Sequence, residues 1–298
     1  MIDYAALRVL QTIVQCGSFE RAAQLLNVTP SAVSQRIRQL EDRVGTTLVI
    51  RASPCVATEK GDWLCRHMEN VGILETELFK NLPSLARDIE PSRQVTLHIA
   101  ANADSVATWF LAAAATFTKA SDYLLKISTD DQEFTADWLA RGQVIAAVTS
   151  AEKPIPGCKR LALGKLRYHA TASPEFVARY FSAGVTPKTL AAAPSLTFNQ
   201  KDRLQSNWIR QLFLQEVQGP VHWLPSSHGF VEACLMGMGW GMNPIHLVKD
   251  HLASGRLVEL LPAQTLDTPL FWQINRLAAD RLSLLTKTIV AAAERALR

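Results

Sequence analysis

The sequence predicts a mixed α/β protein with an N-terminal all-α part, a long connecting helix and a two-lobed α/β part. Two short amphipathic helices with a sharp turn between them occupy residues 19–41, an apolar heptad pattern runs through residues 58–82, and strands alternate with helices from residue 94 onward. A chain of 298 residues is also long for one hydrophobic core. We therefore expect more than one domain.

The chain begins with an amphipathic helix on which Leu7, Leu10 and Val14 share a face, with acidic Asp3 ahead of it. No run of about 18 apolar residues occurs in the sequence. The five cysteines are scattered and include no C-x-x-C pair. These features predict a soluble cytoplasmic protein without a signal peptide, a disulfide framework, a metal site or a membrane partner.

The two short helices follow, and the residues between them specify the turn. Apolar side chains recur at helical spacing over residues 19–26, and the Ala22-Ala23 pair allows a second helix to approach closely. The turn falls at residues 27–28, after which Thr29 can cap the next helix and Pro30 can occupy its first position. The pattern predicts a helix-turn-helix.

The second helix of this motif has an apolar and a polar face. Val33, Ile37 and Leu40 form the inward stripe. The outward side chains are those of Ser31, Ser34, Gln35, Arg36 and Arg38. Arginine and glutamine can make paired hydrogen bonds to guanine and adenine, and serine can bond to bases or phosphates. The polar face therefore suits DNA, although the same residues on an ordinary helix would simply be solvated.

Residues 7–61 resemble the winged helix-turn-helix of LysR-type transcriptional regulators. The matching positions are Leu7, Leu10, Gly17-Ser18-Phe19, Ala22-Ala23, Leu26, Ser31-Ala32-Val33-Ser34, Ile37, Leu40-Glu41, Gly45, Leu48, Arg51 and Thr58-Glu59-Lys60-Gly61. The resemblance implies that residues 1–58 form a winged helix-turn-helix domain that binds promoter DNA. The residues it assigns to DNA contact are Thr29, Pro30, Ser31, Ser34, Gln35, Arg36, Arg38 and Arg51. Pro30 stands where many relatives have glutamine, so we expect a different operator sequence.

Net charge by itself gives this interpretation little support. The chain carries a formal charge of +4, and residues 1–60 contain seven lysines or arginines against five acidic residues. The position of the charges matters more. Arg36, Arg38 and Arg51 lie on the predicted reading helix and wing, where contacts with phosphates would release counterions and make binding sensitive to salt.

A short wing and a long helix are predicted next. Residues 48–51 and 56–58 are β-prone runs around a turn at residues 52–55. Thr58 can cap a helix of about 25 residues and about 37 Å that continues to Leu82. Its heptad-type positions are Leu64, Met68, Val71, Glu75, Leu78 and Leu82.

The heptad pattern alone also allows a helix that packs on its own domain. The family resemblance instead implies a linker helix that pairs two subunits, in a homodimer or a dimer of dimers. Residues 59–93 would then comprise this linker helix and, over residues 83–93, a hinge that contains Pro83 and Pro91.

Strands and helices alternate over residues 94–298. The predicted strands lie at 95–101, 124–128, 144–149, 168–171, 195–198, 221–224 and 240–242. The predicted helices lie at 105–118, 133–141, 205–215, 228–238 and 280–297. The first three strands and their helices are typical of a parallel sheet. The family resemblance implies a two-lobed effector-binding domain like periplasmic binding proteins, with lobe I at 94–163 and 268–298 and lobe II at 164–267.

Two strand-to-helix turns are placed to hold a small carboxylate in a cleft between the lobes. They are residues 102–105 and 225–228, where free N–H groups at helix starts would attract an anion. Taken singly, Asp104, Ser105 and Ser227 are equally well explained as helix caps. For a cationic group the best candidates are Asp130 and Asp131, although acidic loops of this kind are commonly solvated helix starts.

A narrower resemblance concerns the effector. It rests on residues 31–37, Asn102-Ala103-Asp104-Ser105, Ala107-Thr108-Trp109 and Arg141-Gly142. These resemble the LysR-type branch that senses lysine or arginine and controls basic amino-acid exporters. The branch implies no cofactor besides a small effector, L-lysine or L-arginine. The effector-binding residues we predict are Asn102, Asp104, Ser105, Thr108, Trp109, Asp130, Asp131, Asn199, Ser227 and Phe230.

Three alternatives stay open on the sequence. They are a LysR-type regulator of another effector, an amino-acid-binding protein without DNA function, and an enzyme. The sequence contains no G-x-x-x-x-G-K-[ST], H-E-x-x-H or G-x-S-x-G motif, and its seven histidines are dispersed. We therefore predict no catalytic residues. RNA polymerase is a further partner that the family resemblance allows.

Overall fold

The computed structural model describes residues 2–82, 95–130 and 135–297, apart from the side chains of Lys80 and Asp130. It divides into two compact units, Met1–Thr96 and Leu97–Arg298. Each unit buries its own set of apolar side chains. None of the described helices is long and apolar enough to cross a bilayer.

Three helices enclose the core of the first unit. They are α1 (Tyr4–Cys16), α2 (Phe19–Leu25) and α3 (Pro30–Val44). Thr29 Oγ1 accepts a hydrogen bond from the Ala32 N–H at 3.2 Å, and Pro30 is the first residue of α3. Both features confirm the predicted start of this helix. Val33 and Ile37 are fully buried, so the inward stripe is also confirmed.

The wing is a two-stranded antiparallel ribbon packed against the long helix. β1 (Val49–Ile50) pairs with β2 (Val56–Ala57), and both strands are shorter than the sequence predicts. Glu41 Oε1 on α3 accepts a hydrogen bond from the Leu48 N–H at 2.8 Å. A Cβ at Gly61 would overlap the Leu48 carbonyl oxygen. Only glycine at this position lets the next helix begin so close to the wing.

The long helix is α4 (Glu59–Asn81), and Thr58 caps it by accepting a hydrogen bond from the Gly61 N–H at 3.1 Å. The predicted heptad stripe is wrong in its first half. Met68 is 5% exposed and packs, with Leu64, in the core of the first unit. The reason is that α1 lies against this part of α4.

The exposed apolar side chains of the long helix lie on a different face from Met68. Leu74, Leu78 and Leu82 are four residues apart and exposed, and Trp63, 65% exposed, lies about three turns before Leu74 on the same side. We call Trp63, Leu74, Leu78 and Leu82 the exposed α4 stripe. The predicted hinge at residues 83–93 lies outside the described residues.

Nine more strands occur in the described part of the second unit. They are β3 (Thr96–Asn102), β4 (Leu124–Asp130), β5 (Ala146–Thr149), β6 (Cys158–Ala172), β7 (Ser195–Thr197), β8 (Val221–Trp223), β9 (Gly241–Pro244), β10 (Val258–Glu259) and β11 (Thr265–Asn275). Seven of them form one sheet in the order β10-β6-β11-β5-β3-β4, with β9 also paired to β6. β7 and β8 form a separate parallel pair.

Helices of this unit connect and cover the strands. They are α5 (Ala103–Ser105), α6 (Leu111–Lys119), α7 (Thr135–Ala140), α8 (Pro174–Tyr180), α9 (Pro187–Ala192), α10 (Leu204–Phe213), α11 (Ser227–Leu235), α12 (Ile245–Ala253), α13 (Arg276–Ala279) and α14 (Ser283–Ala296). A π-helical turn, Val106–Phe110, joins α5 to α6, so the predicted helix at 105–118 is not a regular α-helix throughout.

The predicted parallel sheet is only partly correct. β3 and β5 are parallel, as predicted. β11, however, lies between β5 and β6 and is antiparallel to both. Residues 265–275 contain Asp267 and Pro269, which disfavour a strand prediction. Their strand is stabilised by partners about 100 residues away, and local periodicity does not report such partners.

β6 is the strand that connects the two ends of the second unit. It is 15 residues long, whereas only residues 168–171 were predicted as a strand. Its first part pairs with β11 and its last part with β9 and β10. The register shifts where Leu270 faces Gly164, whose φ is +121°, so the strand bends at a residue that tolerates this conformation.

Candidate functional site

The outward face of α3 and the adjacent wing form the first candidate site. The side chains of Thr29, Pro30, Ser31, Gln35, Arg36, Arg38 and Arg51 are exposed, and that of Ser34 is half-buried. The structure therefore leaves every residue predicted to contact DNA at the surface. The buried face of α3 is centred on Ile37, and its packing fixes which side chains of this helix point outward.

The predicted contact residues do not all face the same way. Successive helix residues are about 100° apart, so Ser31, Gln35 and Arg38 lie opposite the buried stripe. Arg36 lies about 160° from Arg38 around the axis, so one groove floor cannot take both as base contacts. Gln39 is exposed four residues after Gln35, on the same face. The sequence-based prediction of DNA contacts did not include Gln39, although its spacing of four residues from Gln35 places it on the same face.

The Arg51 side chain is held over an aromatic ring. Its guanidinium carbon lies 4.7 Å from the centroid of the Phe19 ring. A cation held over an aromatic face loses part of its conformational freedom while its N–H groups still point to solvent. The structure thus places a pre-oriented positive charge at the edge of the wing.

A cavity of about 410 Å³ in the second unit is the second candidate site. Its wall is formed by the end of β3 with α5, by the segment before α10, by the start of α11 and by β9. The lining residues are Asn102, Ala103, Asp104, Phe198, Asp202, Leu204, Ser227, Phe230, Met242, Asn243 and Pro244.

Asp104 is one of two carboxyl groups in the cavity wall. Its Oδ2 accepts a hydrogen bond from the Tyr168 hydroxyl at 2.7 Å. Burial raises the pKa of Asp104, and the charge of Asp202 raises it further, while the nearby Ser227 and Tyr168 hydroxyls lower it. Ionisation of Asp104 is therefore costly unless a positive group enters the cavity.

Asp202 is held in a different way. Its Oδ2 accepts a hydrogen bond from the Phe198 N–H at 3.0 Å, and its Oδ1 accepts one from the Leu204 N–H at 2.9 Å. Burial raises the pKa of Asp202, and these backbone donors act in the opposite direction. Two carboxyls in one small cavity favour a cationic guest.

Several buried polar atoms of the cavity wall have no hydrogen-bond partner among the described residues. They are Nδ2 and Oδ1 of Asn102, Oγ of Ser227 and Oδ1 of Asn243. Asn102 is 1% exposed. An unpaired buried polar group costs about 1–3 kcal/mol. These donors and acceptors are therefore suited to a polar ligand that completes their hydrogen bonds.

The cavity is better suited to an organic cation than to a metal ion. No group of three His, Cys, Asp or Glu side chains within residues 2–82, 95–130 and 135–297 is arranged to hold a metal. The apolar part of the cavity lining comes from Phe198, Leu204, Phe230 and Met242. Amide and hydroxyl groups beside two carboxyls and an apolar wall match an amino acid with a positively charged side chain.

Four of the ten predicted effector residues line the cavity, namely Asn102, Asp104, Ser227 and Phe230. Two other predicted residues, Thr108 and Asn199, do not line the cavity but hydrogen-bond to residues that do. Thr108 Oγ1 donates to the Asp104 carbonyl oxygen at 2.6 Å. Asn199 Oδ1 accepts hydrogen bonds from the N–H groups of Lys201 and Asp202, and so shapes the turn that carries the Asp202 carboxyl.

The remaining predicted residues are not at the cavity wall, or they are not described. Ser105 and Trp109 are buried, and Trp109 Nε1 donates to Ser105 Oγ at 3.2 Å, so both are occupied within the helix. Neither residue lines this cavity, and their direct contact with the effector stays a prediction. Asp131 and the side chain of Asp130 lie outside the described part of the molecule.

Sequence reasoning missed two of the cavity's polar residues, Asp202 and Asn243. Asp202 follows Asn199 in a polar turn, and nothing local distinguishes it from a solvated loop residue. Asn243 lies in β9, where its Nδ2 donates to Thr171 Oγ1 at 2.9 Å. The pairing of β9 with β6 brings Asn243 to the cavity wall.

Two family models match the chain. Residues 4–62 match the model described as bacterial regulatory helix-turn-helix protein, lysR family, and residues 92–297 match the LysR substrate binding domain. Among curated proteins, the HTH-type transcriptional regulator ArgP of Pseudomonas aeruginosa is 40% identical over 98% of this chain and 96% of its own length.

Solved structures agree with this result. The C-terminal domains of a LysR family protein from Agrobacterium tumefaciens are 60% identical, with a TM-score of 0.67, over 69% of this chain and 99% of that chain. Full-length LysG from Corynebacterium glutamicum with bound effector Arg is 34% identical, with a TM-score of 0.66, over 100% of both chains.

Proposed function

The chain belongs to the lysR family of bacterial regulatory helix-turn-helix proteins, and from this premise we propose that L-lysine or L-arginine, bound in the cavity, governs its binding to promoter DNA. The observation that carries the effector class is the pair of carboxyls, Asp104 and Asp202, in one cavity. The relative LysG, solved with bound effector Arg, supports the same class.

The cavity offers a group for each part of a basic amino acid. Asp104 and Asp202 would attract the ammonium or guanidinium, whereas the unpaired atoms of Asn102, Ser227 and Asn243 would bond the α-amino and α-carboxylate groups. Phe230 and Met242 would contact the aliphatic stem. A neutral or acidic amino acid would leave the two carboxyls without a partner and is disfavoured.

The first experiment tests effector class. Isothermal titration of the full chain with L-lysine, L-arginine, norleucine and glutamate should show binding of the two basic amino acids alone. Asp202→Asn should weaken arginine binding roughly tenfold to a hundredfold, because truncating a buried charge partner costs about 2 kcal/mol or more. Asp250→Asn, an exposed position on α12, is the matched control. Binding of norleucine or glutamate in preference would indicate another effector.

For the DNA side, we propose that α3 enters the major groove with Ser31, Gln35 and Arg38 toward the bases. Thr29, Pro30 and Ser34 would lie at the start and flank of this surface, and Arg36 and Arg51 would contact phosphates. Gln39 is an added candidate on the same face as Gln35.

Paired reading of an operator requires an oligomer. We propose that the exposed α4 stripe packs against its copy in a second subunit and gives a homodimer, alone or within a dimer of dimers. Three exposed apolar side chains on α4, with Leu82 directly after its last residue, support this. At the promoter, in the cytoplasm, the oligomer would also meet RNA polymerase, as the family resemblance implies.

A further inference from the structure

We propose that the Asp104 carboxyl carries a proton in the empty cavity and loses it to solvent when a side-chain cation binds, so that arginine or lysine releases one proton while a neutral analogue releases none. This inference rests on the proposed function, because it concerns the same cavity and the same class of effector. It makes Asp104 the residue that distinguishes cationic from neutral amino acids.

The geometry assigns the proton to Asp104 and the permanent charge to Asp202. Asp202 has a backbone N–H on each oxygen, from Phe198 and Leu204, an arrangement that favours the carboxylate form. Asp104 has hydroxyls beside it instead, those of Tyr168, at 2.7 Å from its Oδ2, and Ser227. A hydroxyl can accept the hydrogen bond of a protonated carboxyl, whereas a backbone N–H can only donate. Two carboxyls that share a small cavity do not ionise together readily. The proton is therefore assigned to Asp104.

The surroundings of Asp104 contain few other charges. Among the described residues, the titratable groups that face it are Tyr168 from β6 and Asp202 from the segment before α10. Ser227 of α11 is polar but does not titrate. Burial raises the pKa of Asp202 as well, and the backbone donors from Phe198 and Leu204 and the charge of Arg203 act against that rise. Burial and the Asp202 charge both raise the pKa of Asp104.

Effector binding changes this balance. An ammonium or guanidinium brings a positive charge that replaces the proton, and both side chains keep their charge throughout the neutral range. The carboxylic acid dissociates to a carboxylate, its proton passes to the buffer, and the cation stays charged, so charge and atoms balance. Arginine affinity should therefore fall about tenfold per pH unit below the pKa of Asp104 and level off above it.

The test is a count of protons released on binding. Arginine and its neutral analogue citrulline are titrated into the full chain by calorimetry from about pH 5 to about pH 8, in pairs of buffers with different ionisation enthalpies. Both ligands carry the same α-amino and α-carboxylate groups, so their difference isolates the side chain. Below the pKa of Asp104 in the free protein, we expect arginine to release up to about one proton more than citrulline in the wild type.

Variants identify the group that releases the proton. Asp104→Asn should bind arginine more weakly and release almost no proton. His228→Gln removes an exposed histidine beside Ser227, and it should release as many protons as the wild type. If citrulline binds too weakly to titrate, release by arginine is compared directly between wild type and Asp104→Asn.

Three results would overturn the proposal. They are equal proton release with arginine and citrulline, undiminished release in Asp104→Asn, and loss of release in His228→Gln alone. Any of these would leave the effector class intact, because arginine would still bind. Failure of both arginine and lysine to bind the wild type would instead reject the proposed function, and this inference with it.

Discussion

At the scale of residues, the buried carboxyl of Asp104 ties stability to ligand binding. Its pKa is raised by burial, so its protonated form is the one that folding favours. For a carboxyl with a raised folded-state pKa, this contribution is present at low pH and is lost as the pH rises through the folded pKa. The cost of burying Asp104 therefore grows as the pH rises toward and through this pKa, an electrostatic strain that the ligand relieves.

Replacing Asp104 by asparagine should remove that strain. We expect Asp104→Asn to raise the melting temperature of the effector-free protein at about pH 8 by a few degrees, the effect of about 1 kcal/mol. At about pH 5 the gain should be smaller, because the wild-type carboxyl is then more fully protonated. Differential scanning calorimetry at both pH values, with Asp250→Asn as control, measures the change. A gain that is larger at low pH would contradict the prediction.

Gln35 gives a residue-scale prediction for DNA. It is exposed on the face of α3 opposite the buried stripe. A paired contact between glutamine and adenine contributes about 1–3 kcal/mol of discrimination. Gln35→Ala should therefore reduce operator affinity by about tenfold or more and relax preference at one base pair. Fluorescence anisotropy with operator variants measures this, with exposed Gln218→Ala as the matched control. Unchanged affinity would remove Gln35 from the reading face.

At the scale of elements, α4 has two apolar faces with different partners. One face, with Met68, completes the core of the first unit. The other is the exposed α4 stripe. Heptad positions in the sequence do not distinguish these faces, because the apolar side chain at each position can pack against the same subunit or against a second one. The packing of α1 against α4 determines which face is buried within the subunit.

A charge in the stripe should prevent pairing without unfolding the subunit. Leu78 is 45% exposed, so we expect Leu78→Glu to lower the molecular mass by half in analytical ultracentrifugation while the circular dichroism stays that of a folded protein. Two glutamates facing each other across a subunit contact would repel and lose apolar burial. Leu214→Glu, the same change at an exposed leucine of the second unit, serves as control. A dimer that persists in Leu78→Glu would exclude this stripe as the contact.

At the scale of the whole molecule, an excess of two positive charges over residues 1–60 is small, so DNA affinity must come from the placement and pairing of charges. A dimer presents each arginine twice. Every phosphate contact contributes about 0.9 to the slope of log affinity against log salt. The salt dependence therefore reports how many contacts the assembled protein makes.

Arg51 provides the corresponding prediction. If its guanidinium, held over Phe19 at 4.7 Å, contacts a phosphate in each subunit, Arg51→Ala should lower the salt slope by about two in a dimer. Binding should weaken similarly for specific and non-specific DNA. Arg179→Ala is a matched control, since Arg179 lies 5.1 Å from the Tyr180 ring in the other unit. An unaltered slope would show that Arg51 does not meet DNA.

Much of the fold was predictable because it depends on near neighbours in the chain. The Thr29 cap, Pro30 at the first position of α3 and the buried Ile37 follow from hydrogen bonds and periodicity within a few residues. β11 was not predictable in this way. It contains Pro269 and is stabilised only after β5 and β6 are in place on either side.

The candidate cavity shows the same division. Asn102 and Asp104 were identified because they end a predicted strand, and Ser227 because it opens a helix. Asp202 was missed, since its role comes from facing a carboxyl about 100 residues earlier in the chain. The sequence by itself thus determined the family and the helix-turn-helix, and it predicted a basic amino acid as the effector. The tertiary structure decided which carboxyls share the cavity and which face of α4 is free, because only the folded chain sets distances between remote residues.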